Sequence, residues 1–422
     1  MSRLSWPRLI ALSGFAFAIT LVANTLDPAV FGHKVLELAA ERPNTLLGLS
    51  TFAATLLGMF LGPLVGAASD RMRAHQGTRM PFFILGVVVL IGALYLIAWA
   101  PTVPLFVLGV LLFRLGDNLV FPTWQALFPD HVPLDQRGMG AGVKSFLDIV
   151  AVLVGRFAAG ELVALFPVLG NRAVLLAVSV PAVGLLLALG ATAWALRGIP
   201  VNDDGPQMSA ERKPLWAAFQ IDWRARPAFT WWFINRAFFW TGFTILGTFL
   251  LFFVIDVVGF PEADAQRYLA RLSLVLGGAI LLIALPSGFL ADRLGRVPLV
   301  VSACVLMTVG TAALVWVRDP VILVYAGALV GLGAGIFISA DFALLTDIVP
   351  ANEAGRYLGI SNIASAGGGA LARLLGGLLI DPINVWTGSR AIGYLSLYGL
   401  AAVLFLFSVF AALRLSAEEP PG

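Results

Sequence analysis

Five ionisable residues sit well inside apolar stretches of this sequence: Arg114, Asp117, Lys144, Asp148 and Arg236. Arg114 and Asp117 are three residues apart and Lys144 and Asp148 are four apart, so on a helix each acid shares a face with its base. A charge at the centre of a bilayer costs about 2.5–3.5 kcal/mol even on the lowest scales, which makes such residues candidates for a working site. An acid beside a base in a half-dry cavity exchanges its proton when a solute or a change of shape breaks the pair. The chemistry expected is ion coupling. Asp117 or Asp148 takes up H+ or ligates Na+, while Lys144, Arg236 and Asn118 contact a solute. The competing reading makes the same pairs structural ties between helices. Counted at ~1.5 Å per residue from the nearest polar loop, Asp117, Asp148 and Arg236 fall near the middle of a ~30 Å core, with Lys144 below and Arg114 above.

The elements that must hold these residues are membrane helices. Of 422 residues, 59 % are hydrophobic and 12 % charged, too little polar surface for a soluble protein of this length. Twelve spans are expected, at 8–31, 44–67, 81–100, 103–128, 139–165, 172–196, 228–255, 271–291, 297–316, 320–346, 356–380 and 391–414. The fold class is all-α integral membrane, with two six-helix bundles over residues 1–196 and 227–422. A linker over 197–226 joins them and carries a short amphipathic piece, Leu215 to Trp223, suited to a membrane surface. Lys and Arg favour the loops on the N-terminal side by about two to one, which puts both termini in the cytoplasm and the chain across a plasma (inner) membrane. The first apolar run, after Arg3 and Arg8, is too long for a signal-peptide core and is read as a retained span. The net charge of +3 comes without a dense Lys/Arg stripe, so membrane lipids rather than nucleic acid are the expected surroundings, and the chain is expected to act as a monomer. The single cysteine, Cys304, excludes an internal disulfide.

The halves repeat. The stretch from Gly66 to Pro81, GAASDRMRAHQGTRMP, returns as Gly288 to Pro298, GFLADRLGRVP. Asp130 to Pro133, followed by Arg137-Gly138 and Gly142, returns as Asp347 to Pro350, followed by Gly355 and Gly359, at a constant offset of 217. Each first motif reads as a tight basic turn between two spans, with glycine for the reversal and proline opening the next helix. Repeats of this kind suit a carrier whose central site rocks between two openings. At the same offset Lys144 and Asp148 match Ser361 and Ser365, so the charged chemistry is expected to weigh toward the N-terminal half. Asp341 matches Trp124 and is expected across the lower cavity from it, equally an inner gate or a ligand.

The loops Asp70-Arg71…Gly77-Thr78-Arg79 and Asp292-Arg293-Leu294-Gly295-Arg296 resemble the inter-helix signature of the major facilitator superfamily. The longer first loop, with Arg73 and Arg79-Met80-Pro81, is similar to that of the sucrose and melibiose type of glycoside–cation symporter. So is the run Gly116-Asp117-Asn118…Pro122…Gln125-Ala126-Leu127…Asp130. The resemblance implies alternating access with a cytoplasmic latch built from Gly66, Asp70, Arg71, Gly77, Arg79, Asp130, Arg137, Asp292, Arg293, Gly295, Arg296 and Asp347. It further implies that Asp70 caps the start of span 11 and that Arg71 or Arg79 pairs with nearby acids. The span at 139–165 lacks the Gly-Pro pair common in drug–proton antiporters, which favours symport.

Other residues divide between working and structural roles. Trp124 and Trp240 lie deeper than the remaining tryptophans and either stack on a sugar or pack between helices. Arg156 and Arg373 match across the repeat and are expected to snorkel to the interface. Asn24 and Asp27 fall in the outer third of the first span, where they either line a vestibule or simply end a helix. Glycines from Gly331 to Gly335 and from Gly367 to Gly369 lie inside spans, where they let helices approach closely. His33, His75 and His131 all fall in expected loops, leaving no buried imidazole relay. No phosphate loop, metalloprotease motif or nucleophile elbow occurs, so neither an enzyme nor a cofactor is expected. The reading is a secondary carrier of a small polar solute, a sugar or glycoside first, coupled to H+ or Na+. The alternatives are proton-driven efflux of amphipathic compounds and a non-transporting receptor or assembly factor on the same scaffold.

Overall fold

A computed structural model describes residues 4–76, 78–197, 223, 226–316, 318–348 and 354–416. Among these, every regular element is helical. In the N-terminal half α1 (Trp6–Thr25) runs through a π-helical turn, Leu26–Val30, into α2 (Phe31–Leu38). Then follow α3 (Pro43–Gln76), α4 (Met80–Trp99), α5 (Val103–His131), α6 (Leu134–Val163), the short α7 (Phe166–Leu169) and α8 (Asn171–Leu196). The C-terminal half has α9 (Pro227–Thr248), the short α10 (Leu250–Phe253), α11 (Glu262–Leu294), α12 (Arg296–Trp316), α13 (Pro320–Ile348), α14 (Ala354–Thr387) and α15 (Ile392–Ser416).

Ten of the described helices are long and apolar enough to cross a membrane, and α9 with its continuation Leu250–Val258, bent by 52°, makes an eleventh. The thirty-residue α6 has the length but carries Lys144, Asp148, Arg156 and Glu161. It falls short in apolarity because it holds half of the charged pairs singled out from the sequence. With α6 the described helices supply the twelve segments expected.

Helices outrun the apolar spans wherever good helix formers continue past them. Asp70 and Arg71 lie on the last turns of α3, not in a turn, and Asp292 and Arg293 end α11. Only then does the chain reverse, at Gly295 with φ of 89°, where glycine avoids the clash a side chain would meet. The start of α11 is also earlier than expected. Glu262 and Asp264 favour its first turn through the helix dipole, so most of the loop expected there is helix. The linker expectation lies outside the described residues except at its edges, where Trp223 stacks on Phe229.

The chain divides into two compact units, Met1–Ala210 with Pro261–Ala270, and Glu211–Phe260 with Arg271–Gly422. The first turns of α11 belong to the N-terminal unit and the rest of that helix to the C-terminal one. In that unit α1 lies against α6 and α8, α4 against α5 and α8, and α3 against α5. In the C-terminal unit α9 lies against α14 and α15, and α12 against α13 and α15. Apart from α3 with α5, each of these pairings occurs in both units. Close approaches rest on small residues: a Cβ on Gly116 would meet the Leu90 backbone nitrogen at 2.9 Å, and one on Gly368 the Ala237 carbonyl at 2.8 Å.

Candidate functional site: paired charges within each bundle

On α6 the Lys144 ammonium donates to Asp148 Oδ2 at 2.8 Å, the one-turn spacing closing as the helix predicts. Asp148 Oδ1 accepts from the Thr20 hydroxyl of α1 at 2.9 Å, so both carboxylate oxygens are engaged. Lys144 also stands over the Trp124 ring of α5, 6.0 Å from its centroid. Trp124 itself is 2 % exposed, and its indole N–H donates to the Leu12 carbonyl at 2.8 Å. Two turns further along the same α1–α6 seam, Arg156 Nε donates to Asn24 Oδ1 at 3.0 Å, and Asn24 Nδ2 donates to the Thr20 carbonyl at 2.9 Å. Arg156 is thus tied to α1 rather than snorkelling, a departure from expectation that follows from Asn24 offering it an acceptor.

On α5 Arg114 Nη1 donates to Asp117 Oδ2 at 3.0 Å, and Asn118 donates to the Arg114 carbonyl at 2.9 Å. The space they occupy is made by α3. A Cβ on Gly58 would sit 2.7 Å from Arg114 Nε, and one on Gly62 3.2 Å from Asn118 Oδ1. In both N-terminal pairs a fifth to a third of each side chain is accessible.

The C-terminal unit has a pair of its own, beside the two of the N-terminal unit. Arg236 of α9 binds Asp341 of α13 through Nη1 and Oδ2, and its Nε donates to Ser365 Oγ of α14 at 2.9 Å. Trp232 and Trp240, one turn to either side on α9, place their ring centroids 5.3 and 6.0 Å from the guanidinium carbon. Asp341 is 1 % exposed, and its Oδ1 has no hydrogen-bond partner among the described residues. Ser365 is the repeat mate of Asp148. At this shared position one half reaches toward its first helix with an acid, the other with a hydroxyl. The sequence named Arg236, Asp341, Trp240 and Ser365 separately, and folding brings Arg236 together with the other three.

Of the latch residues, Arg296 pairs with Asp347 and also donates to the Ala343 carbonyl. Arg79 is buried and donates to Ser69 Oγ at 3.2 Å, while Arg71 and Arg293 are exposed. Gly66 has no atom within 4 Å of where a Cβ would sit. Gly77 and the side chains of Asp70, Asp130, Arg137 and Asp292 lie outside what is described. The capping role expected of Asp70 falls on a side chain outside the described residues.

One group was missed. His33 is not in a loop but on α2, 3 % exposed, with Nδ1 2.7 Å from Glu262 of α11 and its ring against Phe166 at 4.2 Å. Glu37 lies 4.0 Å from Nε2 and accepts from the buried Lys34 at 2.7 Å. His131, likewise expected in a loop, ends α5 and is buried. The only signal in the sequence was polar density at an expected helix end. Among the described residues no group of three or more His, Cys, Asp and Glu is arranged to hold a metal.

Among solved structures, a bacterial homologue of the human lysosomal transporter Spinster, inward-facing and unoccupied, matches with a TM-score of 0.73 at 16 % identity, covering 98 % of this chain and 97 % of that one. The nucleoside transporter NupG matches with a TM-score of 0.72 at 13 % identity, over 98 % and 100 % of the two chains. At such identities the likeness is one of fold. Among curated relatives, an uncharacterized MFS-type transporter, C18.02, of Schizosaccharomyces pombe is 28 % identical over 178 residues, 42 % of this chain and 37 % of the relative. Multidrug resistance protein MdtH of Yersinia enterocolitica is 27 % identical over 149 residues, 34 % of this chain and 37 % of the relative. The chain thus spans little more than a third of the length of these two curated relatives. The model of one family covers it far more fully, over residues 8–317 and 268–422, and the chain accordingly belongs to the Major Facilitator Superfamily, as a multi-pass membrane protein.

Proposed function

We propose that this chain is a secondary carrier that moves a small polar solute by alternating access, coupled to H+ or Na+. The observation that carries the reading is the Arg236–Asp341 pair, two charges brought from different helices into a place where 1 % of the acid is exposed. Holding such a pair in a bilayer is costly, and a merely adhesive role is filled as well by apolar packing. A pair that exchanges partners repays the cost through transport. The Lys144–Asp148 and Arg114–Asp117 pairs, each partly accessible, serve the N-terminal half in the same way. The carrier is assigned to a plasma (inner) membrane, with both termini cytoplasmic, and to a monomer among lipids, with no cofactor beyond the coupling ion.

A sugar or glycoside is the first solute to test, on the resemblance of the Gly116–Asp130 stretch to glycoside–cation symporters. Efflux of amphipathic compounds is the second reading. It is favoured by the partial likeness to multidrug resistance protein MdtH and by the aromatic surroundings of Arg236, the rings of Trp232 and Trp240.

The test is solute-induced movement of H+ or Na+ in proteoliposomes of the full chain, screened over sugars, glycosides and amphipathic compounds. The expected result is ion movement with one class of solute in the wild type, and loss of coupling in Asp341→Asn and in at least one of Asp117→Asn and Asp148→Asn. Ion-coupled flux unchanged in all three variants removes the site. Absence of flux for every solute turns the reading toward a receptor or assembly factor.

A further inference from the structure

We infer that Arg236 seats an organic anion, and that each anion enters with one proton bound by Asp341. The inference rests on the carrier reading of this pair and narrows its solute to a carboxylate, sulfonate or acidic glycoside.

The two partners differ in how firmly they are held. Arg236 is held on three sides besides Asp341: Nε by Ser365 Oγ at 2.9 Å, and the guanidinium between the rings of Trp232 and Trp240. Asp341 is held by Arg236 alone, its Oδ1 having no hydrogen-bond partner among the described residues. When the pair opens, the cation keeps its place and the acid gives way. A group that competes for an anchored cation is an anion. A cationic solute would instead have to dislodge the better-fixed member.

A guanidinium offers five N–H donors. Its Nη2 makes no hydrogen bond among the described residues, and 15 % of the side chain is accessible. The indole N–H groups of Trp232 and Trp240 are likewise without partners among the described residues. Among the described residues in contact with Arg236, these donors outnumber the one unpartnered acceptor, Asp341 Oδ1. Such a set matches a ligand rich in acceptors, and two donors of a guanidinium match a carboxylate or sulfonate geometrically. Trp240, partly exposed one turn from Arg236, offers a ring face to a flat ligand body.

The Arg236–Asp341 pair is neutral, and an anion added alone would leave a net negative charge in a low-dielectric site. If Asp341 takes a proton from a buffer acid in bulk solution as it leaves Arg236, the acid's bond to that hydrogen breaks, an O–H bond forms on the Asp341 carboxyl, the conjugate base stays in solution, and the site, with one ion pair replacing another, stays neutral. Anion and proton thereby bind together, one for one.

The test uses the full chain in detergent and three probes of one shape: benzenesulfonate, neutral benzenesulfonamide and cationic benzyltrimethylammonium. Calorimetry in two buffers of different ionisation heat counts protons taken up. The wild type should bind benzenesulfonate in preference to the other two, take up about one proton per anion, and lose affinity about tenfold per pH unit on the alkaline side. In Asp341→Asn, which keeps shape and removes the titrating group, binding should persist without proton uptake and without pH dependence. In Arg236→Gln affinity should fall about tenfold or more. Should that variant not fold, Ser365→Ala, which frees only one anchor, should weaken binding severalfold. Preference for benzyltrimethylammonium, binding without proton uptake in the wild type, or full affinity in Arg236→Gln overturns the inference. Proton-coupled flux of a neutral sugar, with no benzenesulfonate binding, defeats the anion assignment and leaves the carrier reading standing. Proton-linked binding with no flux of any solute does the reverse.

Discussion

At the scale of single residues, the geometry of the Arg114–Asp117 pair depends on a hydrogen atom. Gly58 on α3 has only its Cα hydrogens where a Cβ would lie 2.7 Å from Arg114 Nε and 3.0 Å from Asn118 Nδ2. These contacts are the far ends of flexible side chains, so Gly58→Ala should cost little stability, below about 1 kcal/mol. It should nonetheless push the guanidinium off Asp117, and a shift near 1 Å in a working group can lower activity by up to about a hundredfold. The control is Gly92→Ala on α4, where a Cβ meets nothing within 4 Å. Coupled flux and thermal stability measured side by side decide the matter. Equal flux in the two variants would make the Arg114–Asp117 pair a structural tie, the competing reading of these charges. The pairing itself was legible beforehand, because residues three or four apart on one helix must meet. Arg236, Asp341 and Ser365 lie 105 and 129 residues apart, and no periodicity within one helix reports on that.

At the scale of elements, α11 shows what apolar runs conceal. Its first turns, Glu262 to Ala270, are too polar to read as a span, yet they fold into the N-terminal unit. Three contacts seat them: Glu262 on His33, the Gln266 amide on the Ala29 carbonyl at 3.2 Å, and Ala270 against Gly160 of α6. A Cβ on Gly160 would lie 2.8 Å from the Ala270 Cβ and 2.9 Å from the Gln266 carbonyl oxygen, and neither can swing aside. Gly160→Val should therefore displace these turns at a cost of about 1–3 kcal/mol. Hydrogen exchange over residues 262–270 should rise in that variant and stay unchanged in Gly190→Val on α8, where a Cβ would meet nothing within 4 Å. Unchanged exchange in Gly160→Val would mean that Glu262 and Gln266 suffice to seat the segment. Helix ends of this kind escape a reading based on hydropathy, since past the hydrocarbon the helix is sustained by capping charges and polar contacts.

At the scale of the whole chain, the repeat was the most legible feature, because it rests on residue identities at a fixed offset rather than on hydropathy. The pairing α1 with α6 returns as α9 with α14, and α4 with α5 as α12 with α13. What the offset did not carry is how each half spends its polar residues on a shared frame. The C-terminal unit also knots α9, α12 and α15 together through a cluster that the N-terminal unit meets with other residues. Asn235 donates to the Ser408 carbonyl at 2.7 Å and to its hydroxyl at 2.8 Å, and Cys304 Sγ lies 3.2 Å from that hydroxyl. Cys304 is the only cysteine of the chain and is fully buried. A thiol-reactive dye should therefore leave the native protein unlabelled at room temperature and react in one cooperative step on heating, reporting the loss of this unit's core. Ser408→Ala removes a buried partner of Asn235 and should cost about 0.6–1.7 kcal/mol, the range for hydrogen bonds between membrane helices. The dye-detected midpoint should fall by a few degrees, about 2–4 °C per kcal/mol for a unit of this size. Ser302→Ala, whose hydroxyl bonds only the Leu299 carbonyl of its own helix, should leave the midpoint in place. Labelling of Cys304 before the transition, or equal midpoints for the two variants, would mean that α9, α12 and α15 separate in the native protein and that this cluster does not hold them.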